Sequence, residues 1–284
     1  MGVHSLGYLR LESTDLDAWR VFAGEFIGAM QVDSRDPDTL SFRIDQHPAR
    51  LVVRRGDVNR MSAMGLEVLD RRALARLSAA VAAAGIAVTP GTAEECADRR
   101  VTGFVHFADP AGNPVELYYG PVLDHMPVSA PLVSGFVTGD MGMGHVIVSA
   151  EDAETTLDFY IDVLGFVERN TMGRTWFLGC NPRHHTFGIA RRRGPGALMH
   201  LMLEMASLDD VGLALDRAER LGVPMMNSLG KHTNDHMVSF YVYSPERYAI
   251  ECGWNGLRVL DEQPTYEITK GAFWGHKFTP PPSA

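Results

Sequence analysis

Seven of the eleven histidines, His145, His184, His185, His200, His232, His236 and His276, lie in the second half of the chain. A dense polar cluster accompanies them, CNPRHHT at 180–186 and LGKHTNDHMVSFYV at 229–242. His145, His200 and Glu251 each fall in a stretch that reads as a strand: GHVIV, LMHLMLE and AIECGW. Two imidazoles and one carboxylate on one face of a metal leave open positions opposite, which suits an iron(II) centre that binds a substrate and O2 together; Mn(II) accepts a similar set. A curved sheet can bring three strands to one point although more than a hundred residues separate the outer pair. Glu204 shares a strand face with His200, but four residues of strand put it roughly 13 Å away, too far to bind the same ion.

A repeat supplies the elements that position these residues. GYLRLESTDLDAWRVFAGEFIG from Gly7 and GHVIVSAEDAETTLDFYIDVLG from Gly144 align at an offset of 137, which pairs Asp15 with Asp152, Phe22 with Phe159 and Gly28 with Gly165. Glu67 pairs with Glu204 and Gly85 with Gly222 at the same offset, and Pro110 with Pro245 and Glu116 with Glu251 at 135. In this register Tyr8 stands opposite His145, Ala63 opposite His200 and Glu116 opposite Glu251, so the first copy keeps one possible ligand of three. An isolated strand histidine is more often a hydrogen-bonded core residue than a ligand. Strand placement, absence from the first copy and the polar cluster together favour ligation. Glu204, by contrast, recurs as Glu67 in the copy without histidines and is expected to be structural.

Each copy reads as strands and amphipathic helices in the same order. His145–Val148 alternates as a strand, and Ala153, Leu157, Ile161 and Leu164 recur at helical spacing up to Gly165. LMHLMLEMA is strand-like, and Ser207 with Asp210 three residues on caps a helix through Val211, Leu215 and Ala218 that Gly222 and Pro224 end. VSFYVYSP and RYAIECGW are two strands joined around Pro245. The expected architecture is therefore α+β, four β-α-β modules, two in each of two domains. These domains span 1–130, without catalytic residues, and 138–284, which holds the metal. Pro121, Pro127, Pro131 and Gly135 interrupt periodicity between them, and the tail PPPSA reads as unstructured.

Composition excludes several other classes. A chain of 284 residues with 45% hydrophobic content has ample material for two cores. No apolar run reaches membrane-spanning length and the first residues lack the order of a signal peptide, so a cytoplasmic protein without a membrane partner is expected. A net charge of −9 argues against a nucleic-acid partner. Cys96, Cys180 and Cys252 show no CxxC spacing and read as free thiols.

Nearly the whole chain resembles the type I extradiol dioxygenases of the vicinal oxygen chelate superfamily, which have a glyoxalase-like fold of tandem βαβββ modules. The resemblance runs from SLGYLR through GMGHV, NPRHHT, HLMLE, GKHTNDHMVSFYV and ECGW to FWGHKF. It implies iron(II) as cofactor, O2 as co-substrate and a small catechol as substrate, with both oxygen atoms inserted into a 3-substituted or bicyclic ring such as 2,3-dihydroxybiphenyl. The metal ligands it implies are His145, His200 and Glu251. His185 takes the acid-base role, His232 and Tyr241 hydrogen-bond the catechol oxygen, and Asn234 and Asp235 stand behind them. Relatives are homo-oligomers, so the same is expected here. Steroid catechols, dihydroxycumate and dihydroxynaphthalene are alternative substrates, and another glyoxalase-fold metalloenzyme or a metal-free binding protein is the alternative function. Ser244-Pro245-Glu246-Arg247 replaces the usual Thr-Pro-x-Gly turn, Cys252 replaces an aromatic or acidic residue, and the loop from Phe166 to Gly179 is short. His184 is expected to point away from His185 if the pair is extended, and His184, His236 and His276 are expected to be structural.

Overall fold

The computed structural model of the chain describes residues 2–34, 36–260 and 264–282. The first half forms a sheet of eight strands: β1 (Ser5–Ser13), β2 (Met30–Val32), β3 (Thr39–Arg43), β4 (Leu51–Arg55), β5 (Arg60–Glu67), β6 (Thr89–Pro90), β7 (Val101–Ala108) and β8 (Pro114–Pro121). Their spatial order is β2-β3-β4-β1-β5-β8-β7-β6. The second half contributes β9 (His145–Ala150), β10 (Val167–Met172), β11 (Thr175–Gly179), β12 (Phe187–Arg191), β13 (Leu198–Glu204), β14 (Met225–His232), β15 (Val238–Tyr243) and β16 (Ala249–Trp254), followed by β17 (Tyr266–Glu267) and β18 (Ala272–Trp274). The order there is β17-β10-β11-β12-β9-β13-β16-β15-β14-β18. Without its two outermost strands, the second sheet repeats the first strand for strand. The sequence repeat is thus a repeat of topology, as the expected tandem βαβββ modules require.

Local chemistry accounts for the main elements. Asp15 and Asp152 cap equivalent helices by accepting from the backbone amides of Ala18 and Thr155. Each helix widens into a π-helical stretch, Arg20–Ile27 and Phe159–Val163. The chain then turns at a glycine with positive φ, Gly28 at 84° and Gly165 at 79°. Ser207 caps the helix Leu208–Leu221 by accepting from the Asp210 amide, and Gly222 at φ 67° ends it. Of the tail read as unstructured, Ser283 and Ala284 lie outside the described residues, and 280–282 carry no regular structure.

One continuous set of buried apolar residues, among them Leu6, Phe26, Val148, Phe187 and Phe240, extends through both sheets. Polar contacts join them as well: Arg217 Nε donates to the Phe26 carbonyl at 2.9 Å, and the Tyr160 hydroxyl donates to Asp109 at 3.1 Å. No helix among the described residues is long and apolar enough to cross a membrane.

Candidate active site

Strand register carries the three candidate ligands to one place. Met202 of β13 pairs with His145 of antiparallel β9 on one side and with Glu251 of parallel β16 on the other. His200 lies two residues along β13 and therefore on the same face as Met202. On the far side of β16, Tyr241 of β15 stands opposite Glu251. This face holds His145, His200, Glu251 and Tyr241 together, although 106 positions separate His145 from Glu251 in the sequence (251 − 145).

His145, His200 and Glu251 bring one donor atom each within 4.8 Å of one another. Nε2 of His200 is 3.0 Å and Nε2 of His145 is 3.5 Å from the same oxygen, Oε2 of Glu251. Donors each about 2.1 Å from a single ion, at right angles, lie about 3 Å apart, so this spacing fits one metal. Both Nε2 atoms and Oε1 of Glu251 are buried without a well-formed hydrogen bond, as expected for groups arranged to bind something other than each other. Burial pushes the Glu251 carboxyl up, but the ring nitrogens of His145, His200 and His232 that face it more than offset this and hold the group well below the usual range. Burial lowers His145 to about 4, which keeps its imidazole neutral and available as a ligand.

The remaining polar residues line the same space. His185, 2% exposed, packs against His145 at 3.9 Å between ring centres and meets Phe177 edge-on at 4.9 Å. Burial, reinforced by the neighbouring His145 and His184, holds His185 well below its ordinary value. His232 Nε2 is 2.7 Å from the Tyr241 hydroxyl and 3.3 Å from Oε1 of Glu251. Burial lowers His232, yet the hydrogen bond and charge of Glu251 outweigh it and raise the group to about 9. Tyr241 is raised well above its ordinary value by burial and then by the Glu251 charge. Asp235 is buried, accepts from the Met237 amide at 3.1 Å and lies 4.0 Å from Nδ1 of His185; Asn234 is buried next to it. All eight residues singled out from the sequence therefore fall in or directly behind one buried cluster.

One expectation changes. The 180–186 segment is a bend rather than a strand at His184, so the His184 ring turns toward His185 and their Nδ1 atoms are 3.1 Å apart. His184 Nε2 in turn faces the Asn170 amide at 3.1 Å, a partner on β10 that nothing in the local sequence announces. His276 lies against the site, stacked on His232 at 4.1 Å between ring centres with 21° between planes. Its place in FWGHKF was the available signal. Glu204 is bound up elsewhere: it pairs with Arg183 and, at 2.7 Å, with Arg258, and it accepts from the Gly256 amide at 3.1 Å. His236 stands at φ 60° with its ring 5.5 Å from Phe273.

Known proteins resemble this chain over nearly its whole length. Residues 6–56 match the family model described as dihydroxybiphenyl dioxygenase BphC D1, and residues 142–252 match the glyoxalase/bleomycin resistance protein/dioxygenase superfamily. An iron-dependent extradiol dioxygenase of Rhodococcus jostii is 42% identical over 98% of both chains. The chain belongs to the extradiol dioxygenases. A biphenyl-2,3-diol 1,2-dioxygenase of Paraburkholderia xenovorans is 41% identical over 98% of this dioxygenase and 96% of its own length. The crystal structure of BphC, a halotolerant catechol dioxygenase, superimposes with a TM-score of 0.94 at 34% identity, covering 98% of the enzyme and 95% of that chain. As a member of this family the enzyme is an oxidoreductase that incorporates both atoms of O2.

Proposed function

We propose that the enzyme uses iron(II), held by His145, His200 and Glu251, to cleave 3-substituted or bicyclic catechols beside their hydroxyl pair, with 2,3-dihydroxybiphenyl as the model substrate. The observation that carries this reading is the pair of imidazoles converging at 3.0 and 3.5 Å on one buried carboxylate oxygen. Iron(II) held by these three residues would bind catechol and O2 together and remove the spin barrier to their reaction. Mn(II) fits the same donors.

The other residues bind the substrate and handle protons. His232 Nε2 and the Tyr241 hydroxyl, 2.7 Å apart, face the same carboxylate and are set to hydrogen-bond a catechol oxygen. Holding a proton near that oxygen and not its neighbour fixes which hydroxyl ionises. His185 is the acid-base residue. Its Nδ1 and that of His184 share one hydrogen; with the Asn170 amide donating to His184 Nε2, His184 donates from Nδ1 and His185 keeps its own hydrogen on Nε2. His185 thereby presents its Nε2–H as a hydrogen-bond donor within a buried site. Asp235 and Asn234 support it from behind. In this reading the domain 138–284 does the chemistry and the domain 1–130 supports it. The protein works in the cytoplasm as a homo-oligomer in the breakdown of aromatic compounds.

The test is anaerobic reconstitution with Fe(II), then addition of O2 and 2,3-dihydroxybiphenyl, with His145→Ala as control. A yellow ring-opened product from the parent alone supports extradiol cleavage through these ligands. Iron-loaded protein that turns over none of several 3-substituted catechols refutes it.

A further inference from the structure

The two added strands of the second sheet come from one short segment that touches both of its edges. β17 pairs with β10, and β18 pairs with β14. Between and beyond them, the Ile268 amide donates to Thr171 at 2.7 Å, the Thr233 amide to Gly271 at 3.3 Å and the Thr279 amide to Met226 at 2.7 Å. The C-terminal segment is thus a strap between the outer strands of the sheet that carries the active site.

The strap meets His232 twice. The Gly271 carbonyl lies 3.1 Å from His232 Nδ1. A carbonyl only accepts, so Nδ1 carries a hydrogen and Nε2 is directed to Tyr241 and Glu251. Five residues on, the His276 ring stacks on His232 and meets Tyr241 edge-on at 5.6 Å. Neither His276 ring nitrogen makes a well-formed hydrogen bond among the described residues, so the ring acts on His232 through its face. Backbone geometry is arranged for this approach. Gly275 and His276 have φ of 74° and 52°, and a Cβ on Gly230 would come within 2.7 Å of the His276 ring.

We propose that His276 is a positioning residue: with the Gly271 carbonyl it locks the His232 ring in the orientation from which Nε2 reaches the catechol oxygen. This rests on the role given to His232 above. In His276→Ala, the anaerobic Kd and the KM for 2,3-dihydroxybiphenyl rise about tenfold, the scale of one hydrogen bond to a charged group, while bound iron is unchanged. His276→Phe keeps a flat ring in the stack and restores both constants to within about twofold. His276→Ala adds nothing to the loss caused by His232→Ala, because residues that act through one another are non-additive. If His276→Ala does not fold, His276→Leu, which removes the flat ring but keeps apolar bulk, carries the same expectation. Parental Kd and KM in the variant, failure of phenylalanine to restore them, or losses that multiply with His232→Ala each overturn the proposal. A His232→Ala enzyme with parental Kd, KM and kcat overturns instead the role of His232 itself.

Discussion

The first sheet offers a direct test of what stands in place of the proposed metal ligands in the first copy. By strand register Gly65 of β5 pairs with both Tyr8 and Glu116, as Met202 of β13 does with His145 and Glu251, so Tyr8 and Glu116 occupy the corresponding positions. Glu116 is 3% exposed and accepts from the Tyr8 hydroxyl and from Arg99, whose Nε and Nη2 lie 2.8 and 2.5 Å from its two oxygens. The guanidinium also covers the Phe104 ring at 4.3 Å. A fixed cation from the helix Ala93–Arg99 thus neutralises Glu116, the counterpart of the proposed metal ligand Glu251. Arg99→Ala leaves that carboxylate buried and unpaired, a change that typically costs 3–5 kcal/mol. Because Arg99 is partly exposed and Tyr8 still donates, the lower end, about 3 kcal/mol, is expected. Arg99→Ala with Glu116→Gln removes the stranded charge and recovers about 2 kcal/mol of it. Urea unfolding followed by circular dichroism measures both, and activity per bound iron stays parental in either variant. A cost below about 0.5 kcal/mol, or a double variant no more stable than the single one, refutes the reasoning.

Other consequences follow from the same geometry. His200→Ala removes one of three ligands and lowers iron affinity on the order of 100-fold or more, read by metal analysis after dialysis against a chelator. Glu204→Gln strands the guanidinium of Arg183, which is 2% exposed, and costs about 3–5 kcal/mol in urea unfolding. It also lowers kcat, because Arg183 anchors the segment that carries His185. Arg247 holds a φ of 69°, so Arg247→Gly stabilises by about 0.5–1 kcal/mol, the left-handed cost less the added freedom of the unfolded chain. Burial raises the Glu246 carboxyl, which accepts from Trp19 at 2.6 Å. A raised carboxyl destabilises the fold above its folded pKa and not below its ordinary value. Glu246→Gln therefore melts higher than the parent at pH 7, and the difference closes as pH falls toward 4.

Much was legible in the chain because it concerns spacing. Alternation placed β9, β13, β15 and β16, Ser207 and Gly222 marked the ends of one helix, and the 137-residue repeat exposed the two copies. Candidate ligands emerged from comparing those copies, since only one carries histidine opposite Tyr8 and Ala63. Convergence of the site was decided elsewhere: backbone pairing of β9, β13 and β16 set His145, His200 and Glu251 a few ångströms apart, and no local pattern encodes which strands become neighbours. Contacts across the sheet were equally hidden. Asn170 reaches His184 from β10, Arg99 reaches Glu116 from a helix, and His276 reaches His232 by way of a strap that the first copy lacks. Sequence periodicity records which face of an element a side chain occupies; which distant face it meets is set by chain topology and packing.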